Sequence, residues 1–226
     1  MLPTLRWKPS QFLKTIWFPA TLLCLMLLVM ESLVHGTWSG PLAGSVRDLL
    51  GHSPFHMANG AWGRILSSLF ITGDPIHFFL AFAMILLCVG TLERQSGFWI
   101  TACSFLVAHL STLLIQSGIL LSIHAWLDQA WTSEWSRTLD VGPSAGYYGC
   151  LGVAIFRWKN SNRRWIAFVV LSILLLRWVV TATINPNGSQ FQSDMAHAIA
   201  FPFGLAFGYC IDRIPTTKPA QQATEA

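Results

Sequence analysis

Six long apolar segments, separated by polar stretches, dominate the hydropathy pattern along this chain. They cover residues 16–34, 76–92, 98–123, 144–156, 165–180 and 195–211. About 20 residues of helix cross the hydrocarbon core of a bilayer. In lipid the backbone must satisfy its own hydrogen bonds, and a helix does so within one segment. The pattern therefore predicts an all-α membrane protein, a bundle of six transmembrane helices.

The composition supports lipid as the surrounding medium. The 226 residues are 53% hydrophobic and 11% charged, with a mean hydropathy of +0.51, whereas a soluble domain carries about 25% charged residues. We expect one membrane domain over residues 16–213, preceded by a cytoplasmic N-terminal segment at 1–15. Residues 214–226 are polar and are expected to form a disordered cytoplasmic tail.

Basic residues fall mainly in the loops on one side of the predicted bundle. That side carries Arg6, Lys8, Lys14, Arg94, Arg157, Lys159, Arg163, Arg164, Arg213 and Lys218. The opposite loops carry Arg47, Arg64 and Arg137. The positive-inside rule makes the richer side cytoplasmic, so we expect both termini inside and a multi-pass protein of a bacterial inner membrane. The net charge of +4 comes from these loops, so we expect no nucleic-acid partner.

Two segments on the predicted outer side are too apolar to be free linkers. Residues 36–74 include Trp38 and Trp62, and residues 124–140 include three further tryptophans. Trp is enriched where a membrane meets water. We therefore expect both segments to lie in the outer interface, the longer one partly helical.

Three polar residues inside the apolar segments fall at a similar depth. Ser144 lies 13 residues before the basic inner end of its helix, which is about 20 Å at 1.5 Å per residue. His197 and His77 each lie 16 residues from the charged inner ends of their helices, or about 24 Å. The hydrocarbon core is about 30 Å thick, so all three are expected in one layer of its outer half.

Small residues favour a close approach of the fourth and sixth helices. Glycines recur between residues 142 and 149, and residues 200, 204 and 208 are small at every fourth position, which is typical of tight membrane helix pairs. If these faces meet, Ser144 and His197 come within hydrogen-bond reach. Tyr148, one turn after the serine, is then expected to pack against the imidazole.

These residue types indicate a specific chemistry. A serine beside a histidine is the minimal equipment for nucleophilic hydrolysis, and the unpaired N–H groups that begin the fourth helix form a natural oxyanion site. The five cysteines are unclustered, so we expect no disulfide framework, no metal site and no cofactor.

Two charged residues in or near the membrane helices each have two possible structural roles. Asp194 precedes His197 by three residues and either orients the imidazole or, as we favour, caps the sixth helix together with Ser193. Arg177 either extends outward to water or pairs with Asp194 or Asp140.

The residues described so far resemble those of the rhomboid intramembrane serine proteases, over residues 16–213 or so. That family has a Gly-x-Ser motif at the head of its fourth helix and an Ala-His motif, followed by small residues, in its sixth. The matching positions are Gly142, Ser144, Tyr148, Ala196, His197, Ala200 and Gly204, with Trp62, Arg64, His77 and Glu93 in the earlier segments. The resemblance implies a rhomboid-like six-helix fold with a long interfacial loop between its first two helices.

Three positions depart from the family pattern. The asparagine four residues after the histidine of the second helix helps to bind the oxyanion in the family, and here that position is Ala81. Ala145 and Ala200 stand where the family usually has glycine. Without this asparagine, the donors that the resemblance implies are His77 and the Ser144 N–H. Loss of one oxyanion donor costs about 10²–10³ in rate in a soluble protease.

The sequence supports three hypotheses about function. The first is a serine endopeptidase in which Ser144 is the nucleophile and His197 the general base and acid. The resemblance to rhomboid proteases implies that its substrates are transmembrane segments of other membrane proteins. The second is a rhomboid-like pseudoprotease that binds membrane proteins without cutting them, which Ala81 and Ala145 favour. The third is a small transporter, which requires a through-going polar path and no contact between serine and histidine.

Overall fold

A computed structural model of the protein describes residues 18–185 and 188–213, and these residues are helical apart from short connections. In chain order the helices are α1 (Pro19–His35), α2 (Gly44–Leu50), α3 (Pro54–Ala58), α4 (Arg64–Ser67), α5 (Pro75–Ser96), α6 (Phe98–Leu127), α7 (Ala130–Arg137), α8 (Ser144–Arg157), α9 (Arg163–Ile184) and α10 (Ser189–Arg213). The predictions for residues 1–15 and 214–226 lie outside the described residues.

The predicted all-α membrane bundle is confirmed, and each of the six apolar segments forms a helix. The helices α5, α6, α9 and α10 are long and apolar enough to cross a membrane. The remaining two, α1 with 17 residues and α8 with 14, are shorter. The chain is therefore a multi-pass integral membrane protein.

The last helix begins six residues earlier than the apolar pattern predicts. It starts at Ser189 and includes the polar residues Gln192 and Asp194, which are 2% and 1% exposed. These side chains are accommodated because they have partners inside the bundle. For example, the side-chain amide of Gln192 donates to the Trp135 carbonyl, and Gln116 donates to the Gln192 carbonyl at 2.8 Å.

A buried carboxylate from α5 caps the start of α1. Glu93 is 5% exposed, and its oxygens accept hydrogen bonds from the N–H groups of Ala20 and Thr21, both at 2.8 Å. The Thr21 hydroxyl donates to the same carboxylate at 2.7 Å. The first N–H groups of a helix lack intrahelical partners and favour negative charge. Glu93 therefore ties the predicted inner ends of two helices together.

The core lies around α8, which packs against α6 and α10 through glycines. A Cβ at Gly149 would lie 2.1 Å from the Cβ of Ala108 on α6, and a Cβ at Gly204 would lie 2.1 Å from the carbonyl oxygen of Gly149. A Cβ at Gly152 would lie 2.3 Å from the carbonyl oxygen of Phe201. The small faces of the fourth and sixth membrane helices therefore do meet, at backbone contact distance.

The two outer segments are folded and attached to the bundle. The longer one contains α2, α3 and α4, with Trp38 and Trp62 about half exposed. His109 of α6 holds it in place, because its Nε2 donates to the Ile65 carbonyl at 3.0 Å. The shorter segment forms α7. The two segments join where His52 and Asp140 pair through two backbone hydrogen bonds of 3.0 and 2.8 Å.

Candidate active site

A cavity of about 400 Å³ opens among α5, α8, α9 and α10 and the loop that precedes α8. Its lining includes five of the residues that the sequence assigns to the site: His77, Gly142, Ser144, Tyr148 and His197. The equal depth derived from helical rise thus corresponds to a shared cavity wall. A cavity of this size with a few convergent polar groups has the form of a ligand or substrate site.

The loop before α8 places Ser144 at the first position of that helix. Gly142 has φ +130°, which side-chain-bearing residues rarely adopt, and its N–H donates to the Ser68 carbonyl at 2.9 Å. Pro143 follows, and the helix begins at Ser144. The first N–H groups of α8 have no intrahelical acceptors, so they are available to an oxyanion at the cavity wall.

His197 lies across the cavity wall on α10 and is 8% exposed. Its ring centroid is 4.4 Å from that of Tyr148, with 39° between the ring planes. Among the described residues neither ring nitrogen of His197 has a hydrogen-bond partner, so Ser144 and His197 share the cavity without a hydrogen bond between them. In ligand-free sites such bonds are often long and shorten when substrate binds.

His77 is oriented by a neighbouring carboxylate. Asp74 caps α5 by accepting from the His77 N–H at 2.9 Å, and its second oxygen lies 2.7 Å from His77 Nδ1. Burial opposes ionisation of Asp74, but the hydrogen bonds from His77 outweigh it and lower the pKa of this carboxyl. Ala81, one turn further along α5, also lines the cavity and offers it a methyl group.

Asp140 connects the loop before α8 to the start of α10. Its carboxylate accepts from the Ser193 hydroxyl at 3.0 Å and from the Val141 N–H at 3.0 Å. Burial raises the pKa of Asp140, although the Ser193 hydrogen bond and nearby positive charge act in the opposite direction. The residue therefore braces the wall between Ser144 and His197.

Three of the residues carried over from the family pattern, Trp62, Arg64 and Glu93, lie away from the cavity lining. Arg64 braces the outer loop by donating from Nη1 to the carbonyls of Asp48 and Gly51 at 2.7 and 3.0 Å. Trp62 is 56% exposed beside it. Glu93 caps α1 as described above. None of the three is within the set of residues that surround Ser144 and His197 in the cavity.

The sequence did not decide between the possible partners of Asp194 and Arg177, which form an ion pair next to His197. Oδ1 of Asp194 lies 2.9 Å from Nη2 of Arg177 and 3.6 Å from Nδ1 of His197. The favoured role of Asp194 as a helix cap is wrong, because α10 begins five residues earlier, at Ser189. The signal was present in the sequence as an acid and an arginine within apolar segments, since such groups usually have a partner.

The groups at the cavity wall are those of nucleophilic chemistry. Within residues 18–185 and 188–213, no three His, Cys, Asp or Glu side chains cluster in a way that could hold a metal ion. The cavity instead combines a hydroxyl, an imidazole and the free N–H groups of a helix start, which are the components of nucleophilic acyl transfer.

Comparison with known proteins identifies the family of this chain. The family model described as the Rhomboid domain matches residues 59–214, more than half of the chain. That span begins before α4 and ends after α10, and includes His77, Ser144, Tyr148 and His197 of the cavity wall. Neither the curated proteins nor the solved structures contain a match to this chain. The match to the family model is sufficient: the chain belongs to the rhomboid family, whose members are typically intramembrane serine proteases.

Proposed function

We propose that this protein is an intramembrane serine endopeptidase with a catalytic dyad of Ser144 and His197. One observation carries the proposal. The two side chains come from helices that are in backbone contact at Gly149 and Gly204, and both line one cavity of about 400 Å³. The ring of Tyr148 packs on the imidazole at 4.4 Å.

The proposed reaction has two stages. Ser144 Oγ attacks the substrate carbonyl carbon while its proton passes to His197, and the tetrahedral intermediate collapses as His197 protonates the leaving amine. A water molecule then attacks the acyl-enzyme, giving one proton to His197 as its oxygen bonds to carbon. The carboxylic acid leaves and Ser144 regains the proton.

The donors for the oxyanion would be His77 and the Ser144 N–H. His77 lines the same cavity and is held by Asp74 at 2.7 Å. Tyr148 and Gly142 would support the dyad by packing and by shaping the loop. Trp62, Arg64 and Glu93 would act at a distance, through the stability of the outer loop and of α1.

Substrates of this protease would be transmembrane segments of other membrane proteins, cut near their outer ends. Family membership supports this choice, because rhomboid proteins act on membrane proteins within the bilayer. Three of the helices around the cavity, α5, α9 and α10, are long and apolar enough to cross a membrane. We propose that the protein lies in a bacterial inner membrane with both termini in the cytoplasm. The distribution of basic residues favours this orientation.

A serine-directed fluorophosphonate probe tests the nucleophile. We expect the probe to label detergent-purified wild-type protein and to leave Ser144→Ala unlabelled. Ser122→Ala is the matched control, because that hydroxyl donates to the Gly118 carbonyl on α6, away from the cavity lining, and its labelling should equal that of wild type. Equal labelling of wild type and Ser144→Ala would exclude Ser144 as the nucleophile.

A second candidate is a pseudoprotease that binds membrane proteins without cutting them. The observation in its favour is Ala81, which lines the cavity where the family usually provides an amide donor. A wild-type protein that captures a transmembrane segment, yet is neither labelled nor able to cleave it, would establish this alternative and exclude the protease.

A further inference from the structure

We propose that Asp194 is a positioning residue for the His197 of the dyad, and that Arg177 anchors its carboxylate. The inference rests on the proposed function, and it adds a third residue to the serine and histidine of the dyad. The juxtaposition that carries it is a buried carboxylate between the imidazole Nδ1 of His197 and the guanidinium of Arg177.

Distances place the carboxylate between both partners. Oδ1 of Asp194 lies 3.6 Å from His197 Nδ1, 2.9 Å from Arg177 Nη2 and 3.2 Å from the side-chain amide of Gln190. Asp194 and His197 are three residues apart on α10, so the helix itself holds them on one face. Arg177 comes from the neighbouring helix α9.

Burying the Asp194 carboxylate costs free energy unless a positive charge lies beside it. Asp194 is 1% exposed, and its Oδ2 has no hydrogen-bond partner among the described residues. An isolated carboxylate is strongly unfavourable in such a place, and a paired cation offsets part of that cost. Arg177 provides that cation while its own side chain stays 50% exposed at the cavity.

The chemical consequence concerns the tautomer of His197. A carboxylate facing Nδ1 favours the form in which Nδ1 carries the hydrogen, which leaves Nε2 as the acceptor for the serine proton. The same carboxylate stabilises the imidazolium that forms during the attack. Neither ring nitrogen has a hydrogen-bond partner among residues 18–185 and 188–213, so no hydrogen bond to another group competes with the carboxylate for Nδ1.

Two variants separate positioning from structural support. Asp194→Asn removes the charge but keeps the shape, and Arg177→Met/Asp194→Asn removes both members of the ion pair, so no unpaired buried charge remains. Asp212→Asn is the matched control, because it removes an aspartate of the same helix that also pairs with an arginine, Arg157 at 3.2 Å, away from the cavity lining.

Three quantities are measured on each full-length protein: the rate of fluorophosphonate labelling, the thermal unfolding midpoint and the ¹⁵N shifts of the His197 ring, assigned by comparison with His197→Ala. The equivalent Asp→Asn change costs about 10⁴-fold in a soluble triad. We expect labelling to fall at least about 10²-fold in both variants, with loss of the Nδ1–H signature. The double variant should unfold near the wild-type midpoint, and Asp212→Asn should match wild type in labelling.

A structural role gives a different result. Labelling would then follow the unfolding midpoint and recover in the double variant, and the ring would keep its Nδ1–H form. That outcome would overturn the proposal while leaving Ser144 as the nucleophile. If wild type is not labelled at all, the proposed dyad fails, and the ¹⁵N signature alone decides whether Asp194 sets the His197 tautomer.

Discussion

Ala81 is the residue that most limits the chemistry proposed for this cavity. It is 4% exposed and lines the same wall as His77, one turn earlier on α5. A methyl group there cannot donate a hydrogen bond to an oxyanion. The stabilisation of the tetrahedral intermediate therefore depends on His77 and on the backbone N–H groups that begin α8.

Restoring a donor at this position should raise activity. We expect Ala81→Asn to increase the rate of fluorophosphonate labelling or of substrate cleavage by about 10-fold or more, because one oxyanion donor is worth about 10²–10³ in soluble proteases. Ala81→Leu is the control, since leucine matches asparagine in size and lacks the donor. A similar response in both variants would show that the position acts through packing.

The contact between α8 and α10 is the element-level feature on which the site depends. A Cβ added at Gly204 would lie 2.1 Å from the carbonyl oxygen of Gly149. This oxygen belongs to the backbone and cannot move aside as a flexible side chain could. Ser144 lies about one turn from Gly149 along α8, and His197 about two turns from Gly204 along α10. The helix contact therefore sets the separation of the two side chains.

Adding one methyl group to this contact should separate the helices. We expect Gly204→Ala to destabilise the protein by about 1–3 kcal/mol, as overpacking does, and to reduce labelling of Ser144. Gly118→Ala on α6 is the control, because a Cβ there meets nothing within 4 Å, and alanine should be neutral or slightly stabilising in a helix. Thermal unfolding of both variants measures the difference, and equal midpoints would contradict the packing argument.

Most of the basic residues and the cavity lie at opposite ends of the helix bundle. Arg157, at the inner end of α8, donates to the Ser96 hydroxyl at 2.7 Å and pairs with Asp212 at 3.2 Å. The ends of α5, α8 and α10 therefore meet on the side that carries most of the basic residues. The cavity opens toward the other end of the same helices, where His77, Ser144 and the start of α10 lie.

This polarity predicts the orientation of the protein in the membrane. Reporter fusions ending in the loop between α8 and α9, or at the C-terminus, should behave as cytoplasmic in a bacterial host. Fusions ending at the junction of α6 and α7 should give active alkaline phosphatase, because that junction lies on the opposite side. The reverse pattern would place the cavity on the cytoplasmic side and contradict the inferred topology.

Much of the fold was accessible from local sequence patterns. Hydropathy is a property of consecutive residues, so the six apolar helices could be located from the sequence. The largest error in a helix end is at the start of α10, because its polar residues find partners inside the bundle. Constant helical rise was enough to place Ser144, His197 and His77 at one depth. The family pattern then supplied roles for them.

Partnerships between helices required the coordinates. The pairing of Asp194 with Arg177, the capping of α1 by Glu93 and the missing hydrogen bond between Ser144 and His197 all depend on how each helix is rotated about its axis and how closely it packs. Neither quantity is encoded in spacing along one segment. Depth in the membrane therefore follows from the chain itself, whereas the groups that face one another at that depth are decided by packing between segments far apart in sequence.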